Sequence, residues 1–234
     1  MSSDRDNSPT DPAAEPDDKV AGSGAVMGVR PRDAEKTKAT ILKAARDAFC
    51  EEGFNGARVD AIAERAKVNK RMLYHYYGNK EALYSAVLLD AYLEIRGGER
   101  ELRLGQFPPV EAMDRLVRFT FRHFLANPWF PRLLAIENLQ NARFLKQIKD
   151  IPALHSPLVS ELKAIVQRGI ASGVFRKDVD PMQLYISIAG LGYFYVSNMK
   201  TLSVIFERDL GQFALIQERE SHAVRMVLDY LCTR

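Results

Sequence analysis

From about residue 34 onward the apolar side chains recur at three- and four-residue spacings, and no convincing period-two alternation appears. The first stretch runs from about Ala34 to Glu52, with Ile41, Ala45, Ala48 and Phe49 on one face. Gly53 is placed to end it as a left-handed residue, with Phe54 folding back on the last turn. Short helices are predicted over Val59–Ala66 and Lys70–Tyr77. Asn79 reads as the N-cap of a fourth helix, which runs to about Arg96 before Gly97-Gly98 stops it.

Beyond that break the punctuation is regular. Pro108-Pro109 precedes a helix over Val110–Ala126, and Asn127-Pro128 reads as an N-cap followed by proline at the first helical position. Ser156-Pro157 repeats the device before a helix ending at Gly173. Asp180-Pro181 repeats it before a helix to about Thr201, and a last helix spans about Gln212–Cys232. The pattern predicts an all-α fold of about nine helices without internal repeats.

The two ends of the hydropathy range add little chemistry but set limits. Residues 1–31 are rich in Ser, Asp, Pro, Ala and Gly, too poor in large apolar groups to offset ordering entropy, and are expected to be a disordered tail. Arg30 and Arg32 at its end either touch phosphates as a flexible arm or have no role. The tail lacks the apolar stretch of a secretory signal. The most apolar run, Leu184–Val196, is shorter than the roughly 20 residues of a membrane span. Two distant cysteines, Cys50 and Cys232, form no disulfide framework. A cytoplasmic protein without membrane partners is expected, and 47% hydrophobic residues supply an ample core.

Charge changes the picture in one place. Lys36–Tyr84 carries ten Lys or Arg against six Asp or Glu, while the whole chain has a formal net charge of only +3, so the remainder is slightly acidic. A compact basic helical unit on a neutral-to-acidic body is the electrostatic outline of a DNA-reading head.

Within that unit Ile62, Ala63 and Ala66 form the inner face of the second helix, and Val68 plugs the turn. Leu73 and Tyr77, four apart, form the inner face of the third. The short connection is that of a helix-turn-helix. The third helix then presents Lys70, Arg71, Met72, Tyr74 and His75 outward, whereas Tyr76 either meets DNA or packs. Cations and planar rings on one short helix suit a major groove, where Arg and Lys take phosphates or guanine edges and apolar groups meet thymine methyls.

The run GFNGARVDAIAERAKVNKRMLYHYYGNKEALY resembles the DNA-binding head of the TetR family of bacterial transcription regulators. The matching positions are Gly53-Phe54, Ile62-Ala63, Val68-Asn69-Lys70, Leu73-Tyr74 with Tyr77, and Lys80-Glu81-Ala82-Leu83. The resemblance implies contacts with double-stranded operator DNA through Arg58, Asn69, Lys70, Arg71, Met72, Tyr74, His75, Tyr76 and Lys80. Arg58 stands where the family often has a capping Thr, and Arg has no oxygen with which to cap. Lys67 replaces the usual turn glycine, at a cost of about 1 kcal/mol if the position is left-handed.

The resemblance also implies a domain plan: a head over 32–80 and an effector-binding, dimerising body over 81–234. Two glycines inside an aromatic helix ask for close approach of a neighbour. The homodimer interface is accordingly expected at Tyr185, Ala189, Gly190, Gly192, Val224, Val227, Leu228 and Leu231, although packing within one subunit would use the same residues. An unidentified small-molecule effector is expected among Phe119, His123, Trp129, Phe130, Asn138, Gln140 and Tyr193.

Catalysis finds no support. The chain has no G-x-S-x-G, H-E-x-x-H or phosphate loop, and His75, His123, His155 and His222 share no i,i+4 spacing for a metal. No catalytic residue, metal or cofactor is expected. The reading is a ligand-responsive repressor on a near-palindromic operator; the alternatives are an effector-independent regulator or activator, and more remotely a helical enzyme or lipid-binding protein.

Overall fold

The computed structural model describes residues 31–149 and 151–232. Nearly all of the tail predicted over 1–31 lies outside the described residues, as do Arg30 and the side chain of Arg32. Nine α-helices follow one another among the described residues: α1 (Pro31–Gly56), α2 (Val59–Arg65), α3 (Lys70–Tyr77), α4 (Lys80–Glu101), α5 (Pro109–Ala126), α6 (Trp129–Leu139), α7 (Ile151–Ala171), α8 (Pro181–Ile205) and α9 (Phe213–Leu231). Short 3-10 turns lie at Leu104–Gln106 and Leu145–Gln147. An isolated antiparallel bridge ties Phe175 to Cys232.

Most of the predicted punctuation is realised. Gly53 breaks α1 with φ 73°, and Phe54 stacks on Phe49 with ring centroids 6.1 Å apart. Asn79 caps α4 through Ala82 N, and Asp180 caps α8 through Met182 N and Gln183 N.

Three boundaries differ, each for a physical reason. Helix α4 runs through Gly97-Gly98 to Glu101. A Cβ on Gly98 would stand 2.6 Å from Phe119, so this glycine admits α5 rather than ending α4. Helix α7 begins at Ile151 and carries Pro157 inside it. One lost backbone hydrogen bond near its start does not stop the helix. At α6 the N-cap position belongs to Pro128, and Asn127 Oδ1 accepts from the Trp129 indole instead of a backbone N–H.

Two apolar cores result. The first joins α1–α4 to α6 and to Phe144, around Ile41, Phe49, Ile62, Leu73, Tyr84 and Leu88. The second fills the space between α5, α7, α8 and α9 around Met113, Leu162, Ile165 and Val227. Full burial of each such Leu, Ile or Phe contributes about 1.5–3 kcal/mol.

Candidate nucleic-acid interface and interior cavity

Helices α2 and α3 are joined by four residues whose backbone groups are satisfied locally. Ala66 N donates to Ile62 O, Val68 N to Ala63 O at 3.0 Å, and Asn69 Oδ1 accepts from Arg71 N at 2.8 Å. The cap explains why Asn stands before α3, where its side-chain oxygen satisfies an otherwise orphaned donor. Lys67 adopts φ 54°, the left-handed turn position anticipated for it. Arg58 occupies the N-cap position of α2 without any side-chain cap.

The two faces of α3 then separate. Leu73 is fully buried, and the half-buried Tyr77 donates its hydroxyl to Lys38 O at 3.0 Å. Burial, with a smaller contribution from Asp90, pushes the Tyr77 phenol up to about 12, so it remains a donor. On the other side Lys70, Arg71, Tyr74 and His75 are exposed, with Met72 half-buried beside them. Tyr76 is half-buried, its ring 5.3 Å from that of His75 and 5.8 Å from the Lys38 ammonium.

Electrostatics sorts the cations. Lys70 Nζ lies 2.6 Å from Asp60 Oδ1, which raises the pKa of the lysine and lowers that of the aspartate. An exposed pair of this kind stabilises the fold little, so a phosphate can displace the aspartate at small cost. Arg58, Lys67 and Arg71 are exposed and make no ion pair among the described residues. Lys80 is held at the seam between α4 and the end of α1, with Nζ 3.3 Å from Asn55 O and 4.9 Å from the Phe54 ring centroid.

The head does not hang free. The Arg46 guanidinium lies 4.0 Å from the Trp129 ring centroid, and Cys50 Sγ donates to Trp129 O. Burial pushes the Cys50 thiol up to about 11, so it stays protonated. Phe144 enters the head's core, 4.4 Å from the Phe54 ring and 4.9 Å from Tyr84. The buried Glu137 carboxylate holds that plug in place by accepting from Phe144 N and Leu145 N. The turn between them takes φ 55° at both Asn141 and Ala142, a conformation that Asn tolerates and that costs Ala about 1–2 kcal/mol.

Behind this junction lies a cavity of about 330 Å³, walled by α4, α5, α6, α7 and α8. Of the residues expected to line an effector site, it collects Phe130 and Tyr193. The others lie elsewhere. Phe119 and His123 line an open groove beside Arg118 and Arg122. Trp129 belongs to the head junction, Asn138 is exposed, and half-buried Gln140 follows the end of α6. The cavity's most distinctive groups were not anticipated: Arg96 and Glu99 from α4, Thr120 from α5, His155 from α7, and Tyr92. A signal for them did exist. Leu88, Tyr92, Ile95, Arg96 and Glu99 share one helical stripe, and two charges on an apolar stripe mark a buried polar site.

The residues expected at a dimer interface divide likewise. Tyr185 and Ala189 turn towards the cavity. Val224, Val227 and Leu231 are buried in the subunit's own core with Leu228 packed against it, and a Cβ on Gly192 would meet Phe124 at 3.0 Å. Side chains buried this way have little surface left for a partner. Gly190 alone of the set is exposed. It lines a groove of about 540 Å³ along α8 and α9, with Ser187, Phe194, Met226 and Tyr230.

Among the described residues, no helix is long and apolar enough to cross a membrane. Residues 41–87 match the family description "Bacterial regulatory proteins, tetR family", and residues 109–227 match "Tetracyclin repressor-like, C-terminal domain". The chain is 39% identical over 184 residues to the HTH-type transcriptional repressor NicS of Pseudomonas putida, covering 79% of this chain and 87% of that protein. It is 33% identical over 170 residues to the HTH-type transcriptional regulator RutR of Escherichia coli, covering 71% and 77%. The structure of the ketosteroid transcriptional regulator KstR2 of Mycobacterium tuberculosis superposes with a TM-score of 0.60 at 20% identity, over 84% of this chain and 95% of that one, a likeness of fold. The helix-turn-helix, the helical body and these matches agree: this chain belongs to the TetR family, and is a DNA-binding transcriptional regulator rather than an enzyme.

Proposed function

We propose that this regulator is a repressor that binds a near-palindromic operator as a homodimer and is released by a small molecule held in the interior cavity. The observation that carries the DNA half is the outward face of α3, where Lys70, Arg71, Tyr74 and His75 stand exposed beside Arg58 and Lys67. One such helix reads only a few base pairs, so a usable site takes two heads about one helical turn, roughly 34 Å, apart. The second copy is assigned to the exposed apolar face of α8 and α9, where Met182, Ile186, Phe194, Met226 and Tyr230 are each about half exposed. An exposed patch of this kind marks an association surface.

The division of labour follows the predicted boundary, with residues 32–80 reading DNA and 81–234 sensing and dimerising in the cytoplasm. Signal passes through the packed seam rather than through α4 alone. Phe130 and Leu134 of α6 line the cavity, while Trp129 and the Phe144 plug, which Glu137 holds in place, touch the head. A coupling of about 1–3 kcal/mol across that seam changes DNA affinity some 5- to 150-fold. The name of the Pseudomonas putida relative favours repression over activation.

The test is a mobility-shift titration on the chain's own upstream DNA, with sedimentation to fix the stoichiometry. Two chains per site, affinity falling steeply with salt, and preference over competitor DNA are expected. A monomer on DNA, or equal affinity for competitor, contradicts the proposal.

A further inference from the structure

The interior cavity sets one charged pair in a wall that is otherwise largely apolar and aromatic. The side chains of Arg96 and Glu99 are only 5% and 4% exposed, with Arg96 Nη1 2.7 Å from Glu99 Oε2. Arg96 Nη2 donates to the Tyr185 hydroxyl at 3.2 Å; among the described residues Nε has no hydrogen-bond acceptor, and the Nη1–Oε2 approach is an ion pair without hydrogen-bond geometry. A guanidinium carries Nε and Nη2 along one edge, and such an edge grips both oxygens of a carboxylate. On this edge only a neutral hydroxyl is engaged. Glu99 sits off it, at Nη1.

A buried donor left without an acceptor is costly, so it marks a place where a ligand gains binding energy. The neighbouring histidines do not compete for an anion. Burial, and then the charge of Arg96, lower the pKa values of both His123 and His155, which keeps them neutral near pH 7. Arg96 is therefore the one cation facing the cavity among the described residues. While Glu99 is ionised it already balances the guanidinium, so a bound carboxylate is compensated when Glu99 takes up a proton, which its burial-raised pKa of about 7 allows. The single cation leaves no charge for a second carboxylate. Tyr92, Phe124, Phe130 and Tyr193 supply ring faces and edges, and a volume near 330 Å³ lies at the small end of ligand pockets, about 300–1,000 Å³.

We propose that the effector is a compact organic monocarboxylate, its carboxylate gripped by the Nε–Nη2 edge of Arg96 and the Tyr185 hydroxyl, its flat apolar body lying among Tyr92, Phe124 and Phe130. The inference rests on the reading of this cavity as the effector site and adds the chemistry of the ligand.

Thermal melting of the full chain with benzoate, cyclohexanecarboxylate and the hydroxybenzoates, each beside its carboxamide, tests it. At least one carboxylate is expected to raise Tm by about 5–10 °C at a hundredfold excess over its Kd. The matching carboxamide should bind at least about tenfold more weakly, the loss expected when a charge-assisted hydrogen bond becomes a neutral one. The double variant Arg96→Gln with Glu99→Gln leaves no charge orphaned, and should lose the preference for the acid. Should that variant fail to fold, the acid-against-amide comparison on the wild type still decides. Equal protection by the carboxamides, protection by none of the carboxylates, or a preference retained in the double variant overturns the proposal. A neutral compound that protects the protein and releases its DNA would overturn the carboxylate while leaving the repressor reading intact.

Discussion

Helix α3 gathers its outward cations and rings within the eight residues Lys70–Tyr77, whereas the interior cavity draws its wall from five helices between Tyr92 and Tyr193. In the first case the period of a single helix decides which side chains share a face. In the second, neighbours are set by how helices cross, and crossing depends on packing details that no local spacing encodes. DNA presents a repeating surface that one amphipathic helix can meet. A small molecule must be enclosed, and enclosure is a property of the whole body.

The sharpest way to break this comparison is at the seam where the two regions meet. Phe144 is fully buried against Phe54 and Tyr84, so Phe144→Ala should destabilise the chain by about 3–5 kcal/mol in urea denaturation. If the head keeps a separate core, the loss would be confined to the body and would leave the head's melting unchanged. One cooperative transition shifted as a whole supports the shared core instead.

The next effect concerns the head alone. Arg71 is exposed and makes no ion pair among the described residues, so Arg71→Ala should change stability by less than about 0.5 kcal/mol. Operator affinity should nevertheless fall by about 1–3 kcal/mol, measured by fluorescence anisotropy. A stability loss of the same size as the affinity loss would move Arg71 from the reading face to the scaffold.

How much of each region was legible follows from these particulars. Leu73, Tyr77, Asn79 and the Lys67 turn could be placed because spacing within four positions decides which face or cap each occupies, although the Lys38 carbonyl that receives the Tyr77 hydroxyl lies far off in sequence. Gly98 shows why spacing fails further out. The same glycine that ends a helix in one context admits a phenylalanine of the next helix in another, and only the partner distinguishes them. Val227 and Leu231 have the apolar character of interface residues, yet their own subunit's core takes them up. Arg96 and Glu99 were readable as charges on an apolar stripe of α4, and went unread because the expected end of that helix at Gly97 set them at a terminus.

A smaller effect sharpens the body's side of the comparison. Burial pushes the Glu99 carboxyl from 4.5 up to about 7, with Arg96 opposing the shift. A carboxyl whose pKa is higher folded than unfolded binds more protons when folded, so its contribution to stability falls as pH rises between about 4.5 and 7. The lowered values of His123 and His155 act in the opposite sense, with stability lost on acidification. The difference between wild type and Glu99→Gln isolates the carboxyl. Denaturation across pH 5–8 should show that the variant gains relative to wild type as pH rises; parallel curves would mean Glu99 titrates normally.

Smallest of all is the turn. Lys67→Gly should relieve the strain at φ 54° by about 1 kcal/mol, partly offset by added chain entropy in the unfolded state. The same change should lower the magnitude of the log–log salt slope of DNA binding by about one if Lys67 neutralises a phosphate. An unchanged slope would place that lysine away from the duplex.

The central claim, that paired α3 helices read a two-fold DNA site, is met most directly by selecting binders from a randomised duplex library with the intact chain. Enrichment of a near-palindrome whose half-site centres lie about one helical turn, or a multiple of it, apart is expected. Recovery of an asymmetric site, or salt-dependent binding with no enriched sequence at all, would contradict it.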